Sequence, residues 1–236
     1  MLQFLNGLNM IIITGASKGI GKYLFGEFQK TNPLVFGTYY STYPGAGIIK
    51  FFEKVDISNY LDVKRWVEKI SMFDIDITLI NCAGINYDSF AHKADIDKWK
   101  EVININLIGT FNVIHAILPI MREQGYGRII NLSSVVAQIG IPGTSAYAAS
   151  KAGLCGMIKS IAIENASKGI TINNLNLGYF NIGMINEMSE GFQTTIKNKI
   201  PTGNFGTLEN ILNAIRFLMK SDYVNGTSID INAGLF

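Results

Sequence analysis

Short apolar runs alternate along the chain with longer segments in which apolar residues recur at helical spacing. Runs such as Ile11–Ile13 and Leu79–Ile80 are continuously apolar, which is typical of parallel strands covered on both faces. The alternation predicts a doubly wound α/β fold, a seven-stranded parallel sheet with helices on both faces. The predicted strands are Met10–Thr14, Leu34–Tyr40, Ile48–Val55, Ile77–Cys82, Arg128–Leu132, Thr171–Leu177 and Ser228–Ile231, and the predicted helices are Gly19–Gln29, Ser58–Met72, Asp97–Met121, Thr144–Asn165 and Leu208–Met219.

One long stretch, residues 178–206, shows little pattern and is rich in Gly, Asn and Met. Loops of this length in compact domains are usually lids or binding segments. We therefore predict a substrate-covering flap with short helical pieces, the alternative being an ordinary surface loop. Because the sequence contains no internal repeat, linker or low-complexity tract, a single domain over residues 1–236 is predicted.

Composition excludes several classes of function. The net charge is +2 without a basic cluster, which argues against nucleic acid or a membrane surface as partner. Cys82 and Cys155 lie in apolar runs and are expected to be reduced core residues of a cytoplasmic protein. The N-terminus lacks the charge and cleavage pattern of a signal peptide, and Met10–Ile13 is too short to span a bilayer. His92 and His115 are isolated, so no metal site is expected.

A glycine-rich segment, Thr14-Gly-Ala-Ser-Lys-Gly-Ile-Gly21, joins the first predicted strand to the first predicted helix. Gly15 permits a tight turn, Gly19 lets the backbone approach a pyrophosphate, and Gly21 permits close packing of helix on strand. The free N–H groups at the helix start would bind the phosphates. The spacing differs from G-x-G-x-x-G and a structural turn is the alternative, but the position in the first βα unit favours a dinucleotide.

The end of the second predicted strand bears on the choice of cofactor. Enzymes that use NAD place a carboxylate there for the ribose 2′-OH, whereas basic residues accept a 2′-phosphate. The stretch 37–42 contains no carboxylate, and Lys18 in the glycine loop supplies a positive charge. NADP(H) is therefore predicted in preference to NAD(H), with a solvated loop lysine as the alternative for Lys18.

Polar and small residues at three later positions have two interpretations each. Asp56-Ile57 would bind the adenine edge or help to start the next helix. The small residues of Asn81-Cys-Ala-Gly84 would let the backbone pack against a nucleotide, or would form a strand-end turn. Asn106 lies among apolar residues inside a predicted helix, where it needs hydrogen-bond partners unless it is exposed.

Tyr147 and Lys151 lie one helical turn apart and therefore on one face of a helix. A cation beside a phenol lowers the phenol pKa from about 10, which suits a general acid or base near neutral pH. Ser134 precedes Tyr147 by thirteen residues. The same Y-x-x-x-K pattern at Tyr60–Lys64 has no such serine, so we interpret that pair as structural.

Together these motifs have the order and spacing of the short-chain dehydrogenase/reductase family, which the chain resembles over essentially its whole length. The matching segments are Thr14–Gly21, Asn81–Gly84, Asn106, Ser134 and Tyr147–Lys151. Within the family the chain looks most like the 3-oxoacyl-(acyl carrier protein) reductases. The resemblance implies a cytoplasmic, Rossmann-type, NADPH-dependent carbonyl reductase of fatty acid biosynthesis, assembled as a homotetramer (a dimer of dimers), with acyl carrier protein as a candidate partner. A dehydrogenase of sugars, polyols or small alcohols and a non-catalytic nucleotide-binding protein are the alternatives.

The resemblance also implies roles for individual residues. Tyr147 would protonate the carbonyl oxygen as hydride arrives, and Lys151 would lower the Tyr147 pKa and hold the nicotinamide ribose. Ser134 would bind the carbonyl oxygen, and Asn106 would hold a water that returns protons to Lys151. The implied cofactor-binding set is Gly15, Ser17, Lys18, Gly19, Ile20, Gly21, Tyr40, Asp56, Ile57, Asn81, Ala83, Gly84, Tyr147, Lys151, Gly178, Phe180 and Ile182.

Two departures from the family pattern bear on function. The usual P-G-x-x-x-T after the sixth strand is here Leu177 to Gly183, without the proline or the hydroxyl that holds the nicotinamide carboxamide, and backbone groups near Ile182 would have to replace it. Two basic residues are expected beside the active-site mouth to meet an acidic carrier. The matching positions hold Gly125 and Lys168, so one of the two charges is kept.

Overall fold

Seven parallel strands form one sheet in the computed structural model, which describes residues 9–71, 75–182, 185 and 189–235. The strands are β1 Met10–Thr14, β2 Val35–Tyr39, β3 Phe52–Lys54, β4 Ile77–Asn81, β5 Gly127–Ser134, β6 Ile170–Leu177 and β7 Ser228–Ile231. The α-helices are α1 Gly19–Gln29, α2 Tyr60–Ile70, α3 Ile96–Ile103, α4 Thr110–Gln124, α5 Ser145–Asn165, α6 Glu190–Lys197 and α7 Leu208–Lys220. The strand order is β3-β2-β1-β4-β5-β6-β7, which confirms the predicted doubly wound α/β class.

Helices cover both faces of the sheet, which explains why apolar side chains point to both sides of the central strand β1. Along β1, Met10 and Ile12 pack with α2, α4 and α5 on one face. Ile11 and Ile13 pack with α1 and α7 on the other face. A strand buried on both sides has no polar face, so the alternation of a half-exposed strand is lost.

A row of hydrogen-bonded polar side chains crosses five strands at one level of the sheet. Thr14, Asn81, Asn131, Asn174 and Ser228 are register neighbours on β1, β4, β5, β6 and β7. The amide of Asn81 donates to Asn131 Oδ1 over 2.9 Å, and the amide of Asn131 donates to Asn174 Oδ1 over 3.0 Å. The amide of Asn174 donates to Ser228 Oγ over 3.3 Å. Because a slipped strand would leave these buried groups unpaired, the row favours a single register.

Two predicted elements differ from the observed ones. The third strand is only Phe52–Lys54, because a 3-10 turn at Ile49–Phe51 precedes it. The predicted helix Asp97–Met121 is two α-helices joined by a π-helical segment, Asn104–Gly109. The predicted end of the second helix, Met72, lies outside the described residues.

The continuous helical stretch Ile96–Gln124 is long and apolar enough to cross a membrane by length and composition alone. It packs against the sheet instead: Val113, Ile114 and Ile117 have no exposed surface. We therefore assign it to the core of the fold.

The flap, residues 178–206, contains helix α6 and is tied at its base by a parallel bridge between Phe180 and Gly206. Helical structure within the flap was predicted and is observed. Residues 183, 184 and 186–188 lie outside the described part, and the covering role of the flap stays a prediction.

Candidate active site

The carboxyl ends of the parallel strands bring the predicted catalytic residues to one edge of the sheet. Ser134 is the last residue of β5, while Tyr147 and Lys151 lie on the first turns of α5, which begins at Ser145. The Ser134 hydroxyl is hydrogen-bonded to the Tyr147 side chain. The ammonium of Lys151 lies 5.5 Å from the centroid of the Tyr147 ring. One hydroxyl, one phenol and one cation therefore converge at this edge.

Burial sets the protonation of this group. The pKa of Tyr147 is raised above 10.0 because burial disfavours the phenolate, and the hydrogen bond from Ser134 opposes that shift. Burial lowers the pKa of Lys151 from 10.5 to about 8. Its ammonium donates to the Leu132 carbonyl oxygen over 2.7 Å.

The predicted net lowering of the Tyr147 pKa is therefore wrong for this structure, while the role of Lys151 in stabilising the phenolate stays a prediction. The expectation considered only the attraction between a cation and a phenolate, and it left out desolvation of the phenol. Desolvation is the larger effect here, so Tyr147 keeps its proton at neutral pH.

Cys82 lies close enough to Lys151 for the two groups to influence each other's ionisation. Burial raises the pKa of the Cys82 thiol to about 12, against the opposing effect of the Lys151 cation. The thiol is thus protonated and neutral. Cys82 and Cys155 are both free thiols, and both are partly buried.

Asn106 is fully buried in the π-helical segment, which excludes the exposed alternative. Its side chain accepts from the Ile85 N–H over 2.8 Å and donates to the Ile85 carbonyl over 2.8 Å. The second amide hydrogen is directed to Ser150 Oγ over 3.2 Å. With both amide hydrogens in use, the main-chain carbonyl, which accepts from Thr110 Oγ1 over 2.8 Å, is the better group for the predicted water.

A cleft of about 110 Å³ lies beside the glycine-rich loop. It is lined by eight of the predicted cofactor residues: Gly15, Ser17, Lys18, Tyr40, Asp56, Ile57, Ala83 and Gly84. The lining also includes residues that were not predicted to bind the cofactor: Thr38, Tyr39, Ser41, Thr42, Val55, Ile85 and Ile105. Ser41 and Thr42 directly follow Tyr40 after the end of β2. Their position next to a predicted cofactor residue could have indicated that they also line the cleft.

The remaining predicted cofactor residues do not line this cleft. Gly19, Ile20 and Gly21 form the first turn of α1, and Asn81 belongs to the polar row. Gly178, Phe180 and Ile182 follow β6. Phe180 lines a separate cavity of about 480 Å³ between the end of β7 and α7. Neither that larger cavity nor the cleft beside the glycine-rich loop is lined by Asn106, Ser134, Tyr147 or Lys151.

Close contacts require glycine at positions 15 and 21, and positive φ angles favour it at positions 15 and 19. Gly15 has φ +64°, and a Cβ there would lie 2.7 Å from Ala83 Cα. A Cβ at Gly21 would collide with the Gly15 carbonyl oxygen, whereas Gly19, at φ +56°, has open space around it. A tight turn with free space at the helix N-terminus is the arrangement that a pyrophosphate needs. The residues present therefore fit a dinucleotide.

Asp56 lies near the start of α2 and also beside the cleft, so its predicted contact with adenine stays a prediction. Asp56 Oδ1 accepts from the Ser58 N–H over 2.9 Å and from Ser58 Oγ over 2.6 Å, as expected near the start of a helix. The same residue also lines the cleft. By contrast, Tyr60 of the second Y-x-x-x-K pattern pairs with His115 Nδ1 over 3.0 Å, outside the site.

Gly125 and Lys168 lie at the opposite edge of the sheet from Tyr147, so their predicted place beside the active-site mouth is wrong within one chain. Gly125 ends α4 and Lys168 follows the end of α5, just before the amino ends of β5 and β6. Helix α5 has 21 residues and thus spans about 30 Å. Because Tyr147 lies near the start of α5 and Lys168 lies just after its end, the two residues are separated by almost the full length of the helix.

The departure at Leu177 has a packing explanation. Leu177 is buried in the apolar cluster beneath α1 and α7 and continues the β6 ladder beside Ile231. Gly178 donates its N–H to the Ile231 carbonyl over 3.0 Å, and a Cβ there would lie 2.9 Å from Asn232 Cα. The other departure, Gly183, lies outside the described residues.

Comparison with known proteins identifies the class. A model of the short chain dehydrogenase family matches residues 9–192. The match covers more than half of the chain, so the protein belongs to the short-chain dehydrogenase family.

Individual proteins of known activity or structure are also similar to this chain. The 3-oxoacyl-(acyl-carrier-protein) reductase FabG of Staphylococcus aureus is 34% identical over 238 residues, which cover 95% of this chain and 97% of that protein. The acetoacetyl-CoA reductase of Allochromatium vinosum is 40% identical over 185 residues, covering 77% of this chain and 75% of that protein. A solved structure of a protein described as a gluconate dehydrogenase from Agrobacterium tumefaciens has a TM-score of 0.88 at 23% identity, covering 96% and 95% of the two chains. At that identity the last match shows the fold alone.

Proposed function

We propose that the protein is an NADPH-dependent carbonyl reductase with 3-oxoacyl thioesters as substrates. The observation that carries this proposal is the convergence of Ser134, Tyr147 and Lys151 at the edge of the sheet that also holds the glycine-rich cleft. The similarity to a 3-oxoacyl-(acyl-carrier-protein) reductase and to an acetoacetyl-CoA reductase supports this substrate class.

The chain's own residues divide the work of reduction. The cofactor, when bound, supplies the hydride. Tyr147 donates its proton to the substrate oxygen, and its raised pKa keeps that proton available at neutral pH. Ser134 donates a hydrogen bond to the same oxygen as negative charge develops there. Lys151, as a cation, stabilises the phenolate that remains, and the Asn106 carbonyl holds the water that restores the proton.

Preference for NADPH rests on the lining of the cleft. Ser41 and Thr42, which follow β2, and Lys18 of the glycine loop line the cleft, and residues 37–42 include no carboxylate. A cation and two hydroxyls suit a 2′-phosphate, whereas NAD enzymes need an acid at this place.

The proposal extends to the oligomeric state of the protein, its acyl carrier partner and its location in the cell. We infer a cytoplasmic homotetramer, a dimer of dimers, that acts in fatty acid biosynthesis on substrates carried by an acyl carrier protein, beneath the flap of residues 178–206. Because Lys168 lies at the far edge of its own sheet, it would meet a carrier bound at the active site of a different subunit.

Reduction of a sugar, polyol or other small carbonyl compound is the second candidate. Gly125 stands where the carrier-protein reductases have a basic residue, so a carrier would find one fixed cation instead of two. An assay of acetoacetyl thioesters beside a panel of small ketones and sugars separates the two substrate classes.

The decisive experiment uses Tyr147→Phe. We expect NADPH oxidation to fall at least about 100-fold, because the substrate oxygen loses its proton donor, while NADPH binding persists. Tyr60→Phe is the matched control, since it makes the same change in a Y-x-x-x-K pattern outside the site. Undiminished turnover by the Tyr147→Phe protein would overturn the assignment of the acid.

A further inference from the structure

Ser150 joins the catalytic helix to the π-helical segment. It has no exposed surface and lies between Tyr147 and Lys151 in sequence. Its hydroxyl donates to the Tyr147 main-chain carbonyl over 2.7 Å and accepts from the Asn106 amide over 3.2 Å. Thus the turn of α5 that carries the phenol and the ammonium is fixed through one buried oxygen.

The hydrogen bonds that run from the Tyr147 carbonyl through Ser150 to Asn106, here called the bridge, continue from Asn106 to the wall of the nucleotide cleft. Asn106 binds both backbone groups of Ile85, each over 2.8 Å, and Ile85 lines the cleft. Gly84 lies so close that a Cβ there would be 3.1 Å from Asn106 Oδ1. Ser150 therefore links three segments: the cleft wall after β4, the π-helical segment and α5.

The hydrogen bonds of Asn106 in the π-helical segment are buried and therefore costly to lose. Asn106 is wholly buried, and all its amide hydrogens have partners. A buried amide hydrogen that loses its acceptor costs free energy, so loss of the Ser150 hydroxyl would disfavour this arrangement of the three segments. π-Helical turns inside helices are frequent at functional sites.

We propose that Ser150 is a positioning residue that sets the location of Tyr147 and Lys151 relative to the bound cofactor. It touches neither substrate nor cofactor and acts through Asn106 and the Tyr147 carbonyl. The proposal rests on the proposed reductase function. Because displacement of a reacting group by about 1 Å can cost about 100-fold in rate, loss of one buried bridge has a measurable effect on catalysis.

The test compares Ser150→Ala with Ser150→Cys. We expect kcat, corrected for the folded fraction by circular dichroism, to fall about 10- to 100-fold in Ser150→Ala while the Kd for NADPH changes less than about twofold. The thiol is a weak donor and acceptor of similar size, so Ser150→Cys should lie between wild type and Ser150→Ala.

Ser145→Ala is the matched control on the same helix. Ser145 Oγ accepts from Trp99 Nε1 over 3.1 Å, whereas Asn106 bonds Ile85, Ser150 and Thr110, so this variant loses a hydrogen bond outside the bridge. Its kcat should stay within about twofold of wild type. A folded Ser150→Ala protein with wild-type kcat, or one whose only loss is in thermal stability, would overturn the proposal.

A second readout needs no substrate. Hydrogen exchange at the Ile85 amide, which donates to Asn106 Oδ1, should accelerate at least about tenfold in Ser150→Ala, while the amide of Ile158 further along α5 is unchanged. Unaltered exchange at Ile85 would contradict the bridge itself. Since this result does not depend on turnover, failure of the positioning role is distinguishable from failure of the reductase assignment.

Discussion

Single residues in the site show a conflict between burial and charge. Lys151 is 6% exposed, and its pKa is lowered from 10.5 to about 8 by burial. The folded protein keeps this cation near Tyr147 although desolvation opposes it. A group that is unfavourable for folding and placed beside a phenol is typical of a functional site.

This conflict predicts how stability depends on pH. Between about 8 and 10.5 the unfolded chain binds a proton at Lys151 that the folded chain has released, so stability rises with pH across that window. The full rise corresponds to about 3 kcal/mol. Lys151→Met lacks this contribution, so we expect the variant to be more stable than wild type at pH 7, with the difference shrinking as the pH rises above 8.

Urea unfolding of both proteins at several pH values measures that difference. A comparison between variants is needed because Cys82, whose pKa is raised to about 12, loses its own contribution to stability as the pH rises above 9. A stability difference that does not change between pH 7 and pH 10 would show that Lys151 is not desolvated as described.

The strands owe their alignment to the polar row as well as to apolar packing. Asn131 is at its centre, fully buried, and bonds Asn81 on one side and Asn174 on the other. Replacement of Asn131 by Val removes the acceptor for the Asn81 amide and the donor for Asn174 Oδ1. We expect a loss of about 2–4 kcal/mol in the free energy of unfolding, measured by urea titration.

An exposed amide provides the comparison for that measurement. Asn198 follows α6 and is exposed, so Asn198→Ala should change stability by less than about 0.5 kcal/mol. Equal effects of the Asn131 and Asn198 substitutions would mean that the row contributes nothing specific.

Helix α1 and the loop before it contain glycines with two different roles. Gly26 has open space around it, so Gly26→Ala should stabilise the helix by about 0.5–1 kcal/mol without affecting NADPH binding. Gly15→Ala should abolish binding, because its Cβ would lie 2.7 Å from Ala83 Cα and its φ is +64°. Thermal unfolding with and without NADPH measures both effects, and retained binding by Gly15→Ala would remove the glycine loop from the cofactor site.

At the scale of the whole molecule, strand order determines where the cofactor cleft forms. The order reverses at β1, from which the chain runs outwards to β2 and β3 on one side and to β4 on the other. Crossover helices leave the ends of β1 and β4 in opposite directions, which opens a crevice above them. The glycine loop follows β1, and Ala83 and Gly84 follow β4, so both line that crevice.

The proposed tetramer has a candidate surface on α4. Phe111 is 44% exposed and neighbours Ile108, which is 46% exposed. We expect sedimentation at micromolar concentration to give close to four times the 26.0 kDa of one chain. Phe111→Arg should reduce that mass by half or more, because a charge would be buried at the interface. A monomeric wild-type protein would contradict the assembly.

Local periodicity and fixed spacing were enough to predict the strand and helix alternation, the glycine loop, and the position of Tyr147 and Lys151 on one helix face. The sequence by itself could not determine the pKa of Tyr147, since desolvation depends on everything that packs around the phenol. The π-helical segment, the polar row and the partners of Asn106 likewise required the tertiary structure. They join residues as far apart in sequence as Asn81 and Asn131, or Asn106 and Ser150, and such contacts leave no local pattern in the chain.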